Sequence, residues 1–359
     1  MAYLAQFRKR VVRSRLFSPC GLKDALDRLG FVQADPIRAP ARAQDLILRH
    51  RVKNYKAGDL ERFYPELALE ECYLYAYGFM SKDLWRIVHP NTNDRLTNAQ
   101  KITLALIKQH GPMHPKELES HVGGKRVRNY WGGFSRTAKL AMEDLHDRGA
   151  LRVAHRKKGI RIYETAEAFE QTLSKEERFQ EIIIATLKSM GAMTRTFLLS
   201  ELSHFKNLAA TPRARQKYLQ QLIDRGRVRT DLVDSVEYVS LDGEKIGRET
   251  SDVVRVLAPF DPIVRDRNRF EHLWDWMYRF EAYTPKAKRK LGYYAMPVLW
   301  RENIVGWANA SVEERRLIVT FGYADGRPDE RKYREAAELE VDRLARFLGL
   351  EDRCWEASI

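Results

Sequence analysis

Cysteine is scarce: Cys20, Cys72 and Cys354 lie far apart in a chain of 359 residues. Three thiols so spaced argue against a disulfide framework and for a reducing compartment, and the lack of any Cys-x-x-Cys pair removes the cysteine signature of a zinc site. No apolar run approaches the ~20 residues that a membrane-crossing helix needs, so no bilayer span is expected. Acid is short as well, with 49 Asp and Glu against 63 Lys and Arg and a formal charge of +14. That excess draws polyanions, nucleic acid above all, although anionic membranes and ribosomal partners attract the same charge. The first 23 residues hold Arg8, Lys9, Arg10, Arg13, Arg15 and Lys23 without one acid, as a transit peptide would. Tyr3, Leu4, Phe7, Val11 and Val12 recur at helical spacing, however, and favour an ordinary first helix that ends in the loop Ser18–Gly21.

What is present is a core-forming chain, 44% hydrophobic, with a repeat in its middle. From Asn98 a helix, a Gly-Pro turn and a second helix lead to a third helix carrying Leu140, Met142 and Leu145, a stop at Gly149 and two short strands around Lys157-Lys-Gly159. The pattern returns about 80 residues later, Gly191 matching Gly111 and Asp224-Arg-Gly226 matching Asp147-Arg-Gly149, a period longer than that of most solenoid repeats. Helix, turn, helix, helix and hairpin is the order of a winged helix, and "GLKDALDRLGFVQADP" begins a third such copy.

The last third differs. "YRFEAYTPKAKRKLGYYAMPVLW" is expected to be a β-hairpin with aromatic arms and the basic tip Lys286-Ala-Lys-Arg-Lys290. Strands follow at "NIVGWANAS" and "RRLIVTFGYA", and a last helix offers the stripe Ala337, Leu339, Val341, Leu344 and Leu348 to cover them. The expected fold is α+β, mainly α: tandem winged helix-turn-helix domains at 1–95, 96–170 and 171–245, then a C-terminal β-rich domain with a closing helix at 246–359.

Three motifs invite chemistry. His110, His114 and His121 have spacing that suits a metal, but they fall in a turn without carboxylate or cysteine neighbours, and polar turn residues account for them better. The basic tip reads either as a solvated loop or as a ribbon whose Lys286, Lys288, Arg289 and Lys290 meet phosphates; the flanking aromatics favour the ribbon. "FVQADPIRAP" sets Gln33 two residues before Asp35 and Asp35 before a proline. Taken alone, Asp35-Pro36 is the N-cap and first position of a new helix.

The chain as a whole resembles the bacterial winged-helix DNA glycosylases of the AlkZ and YcaQ type. The likeness is carried by "VQADPI" with "ARAQDLILRHR", by "LAPFDPIVRDRNR" and by "YRFEAYTPKAKRKLGYYAMPVL". It departs from many members, which bear a Tyr-Trp-x-His type segment where "CYLYAYGFM" stands here. The resemblance implies a monofunctional hydrolase that releases alkylated purines such as N7-alkylguanine and unhooks interstrand crosslinks, with Gln33 and Asp35 catalytic and no cofactor or metal. It implies double-stranded DNA as partner, met by Arg38, Arg42, Arg51, Lys157, Lys158 and the basic tip. A monomer in the bacterial cytoplasm, near the nucleoid and away from membranes, goes with that reading. The rival readings are a winged-helix transcriptional regulator and a structural nucleic-acid protein, both of which bind DNA without releasing a base.

Overall fold

A computed structural model describes residues 2–89, 96–122, 125–128, 134–247, 252–351 and 354–359. After α1 (Ala2–Arg15) the chain runs three times through one order of elements. The first pass is α2 (Leu22–Leu29), β1 (Phe31–Gln33), α3 (Ala43–Leu48), α4 (Asp59–Phe63), β2 (Leu69–Tyr73) and β3 (Tyr77–Ser81), closed by α5 (Lys82–Val88). The second is α6 (Asn98–His110), α7 (Pro115–Val122), a small pair β4 (Arg126–Arg128) and β5 (Phe134–Arg136), α8 (Thr137–Asp147), β6 (Leu151–Lys157) and β7 (Ile160–Thr165). The third is α9 (Lys175–Met190), β8 (Met193–Thr194), α10 (Arg195–Glu201), α11 (Pro212–Asp224), β9 (Val228–Val233) and β10 (Val236–Leu241).

The same local chemistry recurs in each pass. Gly30, Gly111 and Gly191 end the first helix with positive φ, each donating its N–H to the carbonyl four residues back, at Leu26, Ile107 and Leu187. Capping boxes start two of these helices, Thr97 with Gln100 and Ser174 with Glu177. The short segment after the glycine then joins the outer strand of the hairpin, giving the orders β1-β3-β2 and β8-β10-β9. In the middle copy a single bridge, Met113 to Tyr163, stands in for that strand.

The rest of the chain is a five-stranded sheet, β11 (Val254–Val256), β12 (Met296–Trp300), β13 (Asn303–Glu313), β14 (Arg316–Tyr323) and β15 (Trp355–Ser358), interrupted by α12 (Arg267–Trp274) and α13 (Arg331–Phe347). Only the β14–β15 pairing is parallel among the described strands of this sheet. α13 covers the sheet as expected, through Tyr333, Ala337, Val341 and Leu344 packed with Val254, Val298 and Val319. Leu339 does not join them and is 57% exposed. At about 100° per residue, a position two away from both 337 and 341 lies on the opposite side of the helix.

Two further expectations are corrected. No helix begins at Asp35-Pro36; the chain stays irregular until Ala43. Residues 275–295 hold no strand either: the basic stretch forms a 3-10 turn at Lys286–Lys288 inside a long loop. The Glu281 carboxylate replaces the ladder of a hairpin there, accepting the backbone N–H groups of Lys290, Leu291 and Gly292.

α1 packs far from the elements next to it in sequence. Phe7 and Val11 are buried with Ala192, Val233, Tyr238 and Leu273, and Val12 and Leu16 with Leu257, Phe270 and Leu299.

Candidate active site

The site grows from the end of β1. Gln33 lies opposite Gly78 of β3, and the approach is so close that a Cβ on residue 78 would lie 2.4 Å from both the Phe31 ring and the Val32 carbonyl. Gln33 is therefore held deep, 9% exposed, and its buried Oε1 accepts no hydrogen bond from the described residues. Pairing continues for one more residue, Ala34 N–H to the Tyr77 carbonyl at 2.9 Å, and then the chain turns. The turn is made by Asp35 itself, whose Oδ1 accepts the N–H of Ile37 at 2.9 Å. This local bond replaces the helix cap expected from the sequence.

Asp35 is half-buried and forms no ion pair with a described residue. Burial pushes its carboxyl above the ordinary aspartate value, and the Ile37 N–H offsets only part of that. Across from it stand aromatic residues of the long loop. Tyr294 shares a core with Ala34 and Ile37, and its buried hydroxyl has no hydrogen-bond partner among the described residues. Burial, and then the Asp35 charge, raise the Tyr294 phenol far above its usual range, so it stays a neutral donor. Phe280 touches Tyr294 edge-on at 5.3 Å and Tyr283 at 6.1 Å, placing three rings of one loop beside the turn. A cleft of about 690 Å³ opens between Arg38, Pro40, Tyr293, Tyr294 and the β13–β14 strands.

The basic residues divide into four groups. Arg38, Lys157, Lys158, Lys286, Lys288 and Lys290 are exposed. Arg42 is paired with Glu61, and the turn after Lys157-Lys158 lies against it: a Cβ on Gly159 would come 2.8 Å from its guanidinium. The structure thus brings Arg42 and the tip of the β6–β7 hairpin together, with Arg38 near enough for its charge to act on Arg42. Arg289 folds back on its own loop, donating to the Thr284 carbonyl at 2.7 Å and lying 5.0 Å from the Tyr293 ring centre.

Arg51 is the expectation that fails. It has 0% exposure and forms a two-pronged pair with Asp261, at 2.8 and 3.0 Å, while donating to the carbonyls of Arg15 and Ile47. A guanidinium so enclosed cannot reach a phosphate; it ties the first repeat to the segment before α12. His114 serves its own helix start, where its Nδ1 accepts the N–H of Lys116.

Residues that the sequence reading passed over are Tyr283, as a member of this site, and Glu281, as the anchor of its loop. Their signal was an aromatic and a lone acid inside a basic run, which strand periodicity alone reads as hairpin arms.

Comparison with known proteins gives a family for the sequence and a solved structure of similar fold. The model of a family described as DNA glycosylase AlkZ-like matches residues 26–347. The fold is similar to that of the Streptomyces sahachiroi DNA glycosylase AlkZ, with a TM-score of 0.64 and 14% identity over 99% of each chain.

Proposed function

The chain belongs to the AlkZ-like DNA glycosylase family, and from that premise we propose that it hydrolyses the N-glycosidic bond of alkylated purines such as N7-alkylguanine in duplex DNA, including bases tethered in interstrand crosslinks. In this reading each of the three repeats is a winged helix, with divisions near residues 95, 170 and 245, and the chain acts as a monomer at the bacterial nucleoid.

The observation that supports it most is the pair at the end of β1. Asp35 presents a carboxylate with no ion-pair partner among the described residues, Gln33, two residues before it, has a buried oxygen that accepts no hydrogen bond from them, and Arg38, three residues on, lines the neighbouring cleft. A buried polar atom without a partner costs about 1–3 kcal/mol, so the Gln33 oxygen calls for an explanation, and a water or nucleotide held there during reaction supplies one.

The chemistry follows from charge. An N7-alkylated guanine carries a positive charge, so it leaves as a neutral base with the electrons of the broken C1′–N9 bond. The positive charge then develops on the sugar, where the Asp35 carboxylate stabilises it. Water adds to C1′ and loses its proton to Asp35 or to solvent, leaving an abasic deoxyribose. The Gln33 amide both donates and accepts, which lets it orient that water. Arg38, Lys157, Lys158 and the exposed lysines of the 281–294 loop hold the phosphates.

The test is incubation with duplex DNA bearing one N7-methylguanine, followed by hot alkali to cut at abasic sites. Strand cleavage at the lesion, dependent on the protein, is expected. Tight binding to one particular sequence with no cleavage would identify a regulator instead.

A further inference from the structure

Tyr283 is the most exposed large apolar side chain among the described residues, at 81%. Exposure alone is ordinary for a single surface aromatic; what sets Tyr283 apart is where it stands. It sits at the tip of the aromatic group that begins at Tyr294 and passes through Phe280, next to the Asp35 turn. Asp35 lies near enough for its charge to act on the Tyr283 phenol, after burial the second influence on it. The loop beneath is firm. Ala282 is buried on one side of it, and the neighbouring Glu281 carboxylate gathers three backbone N–H groups from the far end of the loop. Lys286 and Lys288 flank it, exposed, three and five residues on.

We propose that Tyr283 is the stacking platform for the lesion base: its ring face takes the cationic alkylpurine and distinguishes it from a neutral purine. The inference rests on the glycosylase reading above. Every base stacks on an aromatic ring, which gives affinity without sequence preference. A base with a positive charge gains more, because the electron-rich face of the phenol attracts the cation. The same charge that makes the base a good leaving group therefore makes it the better ligand for this ring, and the carboxylate of Asp35 next to it acts in the same direction. Binding selectivity and chemical reactivity then select one class of lesion through different residues.

The experiment separates binding from cleavage. A duplex with one 2′-fluoro-N7-methylguanine resists glycosidic cleavage, because fluorine at C2′ disfavours the cationic sugar. Affinity for it and for the same duplex without the methyl group is measured for wild type, Tyr283→Phe and Tyr283→Leu, with melting recorded for each protein. Wild type and Tyr283→Phe are expected to prefer the methylated duplex, and Tyr283→Leu to lose about fivefold of that preference by weakening the methylated duplex more than the unmethylated one. The inference is overturned if Tyr283→Leu keeps the full preference, if it weakens both duplexes equally, or if wild type shows no preference. Failure of the catalytic reading would appear elsewhere, as unchanged release of N7-methylguanine by Asp35→Asn, and leaves this affinity ratio readable.

Discussion

Asp35 joins activity and stability with opposite signs. Asp35→Asn keeps the side chain's size and its ability to accept the Ile37 N–H but removes the charge, so single-turnover release of N7-methylguanine should fall by on the order of a hundredfold or more. Its folded pKa is raised by burial, so ionisation is costlier in the folded chain than in the unfolded one. That penalty is absent below the unfolded value, near ~4, and complete once the pH exceeds the folded value. Asp35→Asn should therefore melt no lower than wild type at pH 7, and any gain should vanish as the pH drops through the ordinary aspartate range. In wild type the release rate should fall on acidification through a pKa above that range, and the Asn variant should lack this limb. Gln33→Leu removes a buried oxygen that has no donor among the described residues, so its melting temperature should hold or rise while release slows; a loss of both would make Gln33 a packing residue. Little of this was legible locally. "QAD" alone predicts a helix cap, and only the resemblance singled it out, because the groups that define its surroundings, Tyr294 and Tyr283, come from the far end of the chain.

For the loop from Glu281 to Tyr294, two consequences can be measured. Lys286, Lys288 and Lys290 changed together to Ala should weaken binding to every DNA sequence and lower the log–log salt slope by about one unit per lost contact. Arg289, already engaged with Thr284 and Tyr293, should matter less than these three. Glu281→Gln leaves the core alone but exchanges a carboxylate that accepts three N–H bonds for an amide that cannot serve them all, so hydrogen exchange over 286–292 should speed up and DNA affinity fall. The repeats were readable because glycine stops, helical stripes and strand alternation are local signals; Gly30, Gly111 and Gly191 mark the same place in three units. The loop was not, since alternating aromatics look like strand arms while a carboxylate that substitutes for a ladder leaves no periodicity.

At the scale of the molecule, buried charges join what the repeats leave separate. Arg51 and Asp261 are both wholly enclosed, and Arg269, equally enclosed, donates to the carbonyls of Met190 and Ile263. Asp261→Ala would strand a buried guanidinium, and urea unfolding should show a loss of about 3–5 kcal/mol with DNA binding lost only as far as the fold is. A sequence cannot tell such an arginine from a phosphate-binding one: both are cations in a basic stretch, and what differs is an acid some two hundred residues away. "LAPFDPIVRDRNR", one of the stretches that carries the family likeness, is accordingly the clasp of the architecture, with Asp261, Asp266 and Arg269 turned inward.

The placement of α1 has a temporal side. Its partners Val233, Tyr238 and Leu273 are made long after Phe7 and Val11, and Arg15 closes on the carbonyl of Ser189 and on Glu244. At about 5–20 residues per second of synthesis, the helix leaves the ribosome on the order of ten seconds or more before anything exists for it to cover. During that interval it is a basic helix without its packing partners, so it is expected to dock late in folding, with low φ-values at Phe7 and Val11 as the measurement that checks it.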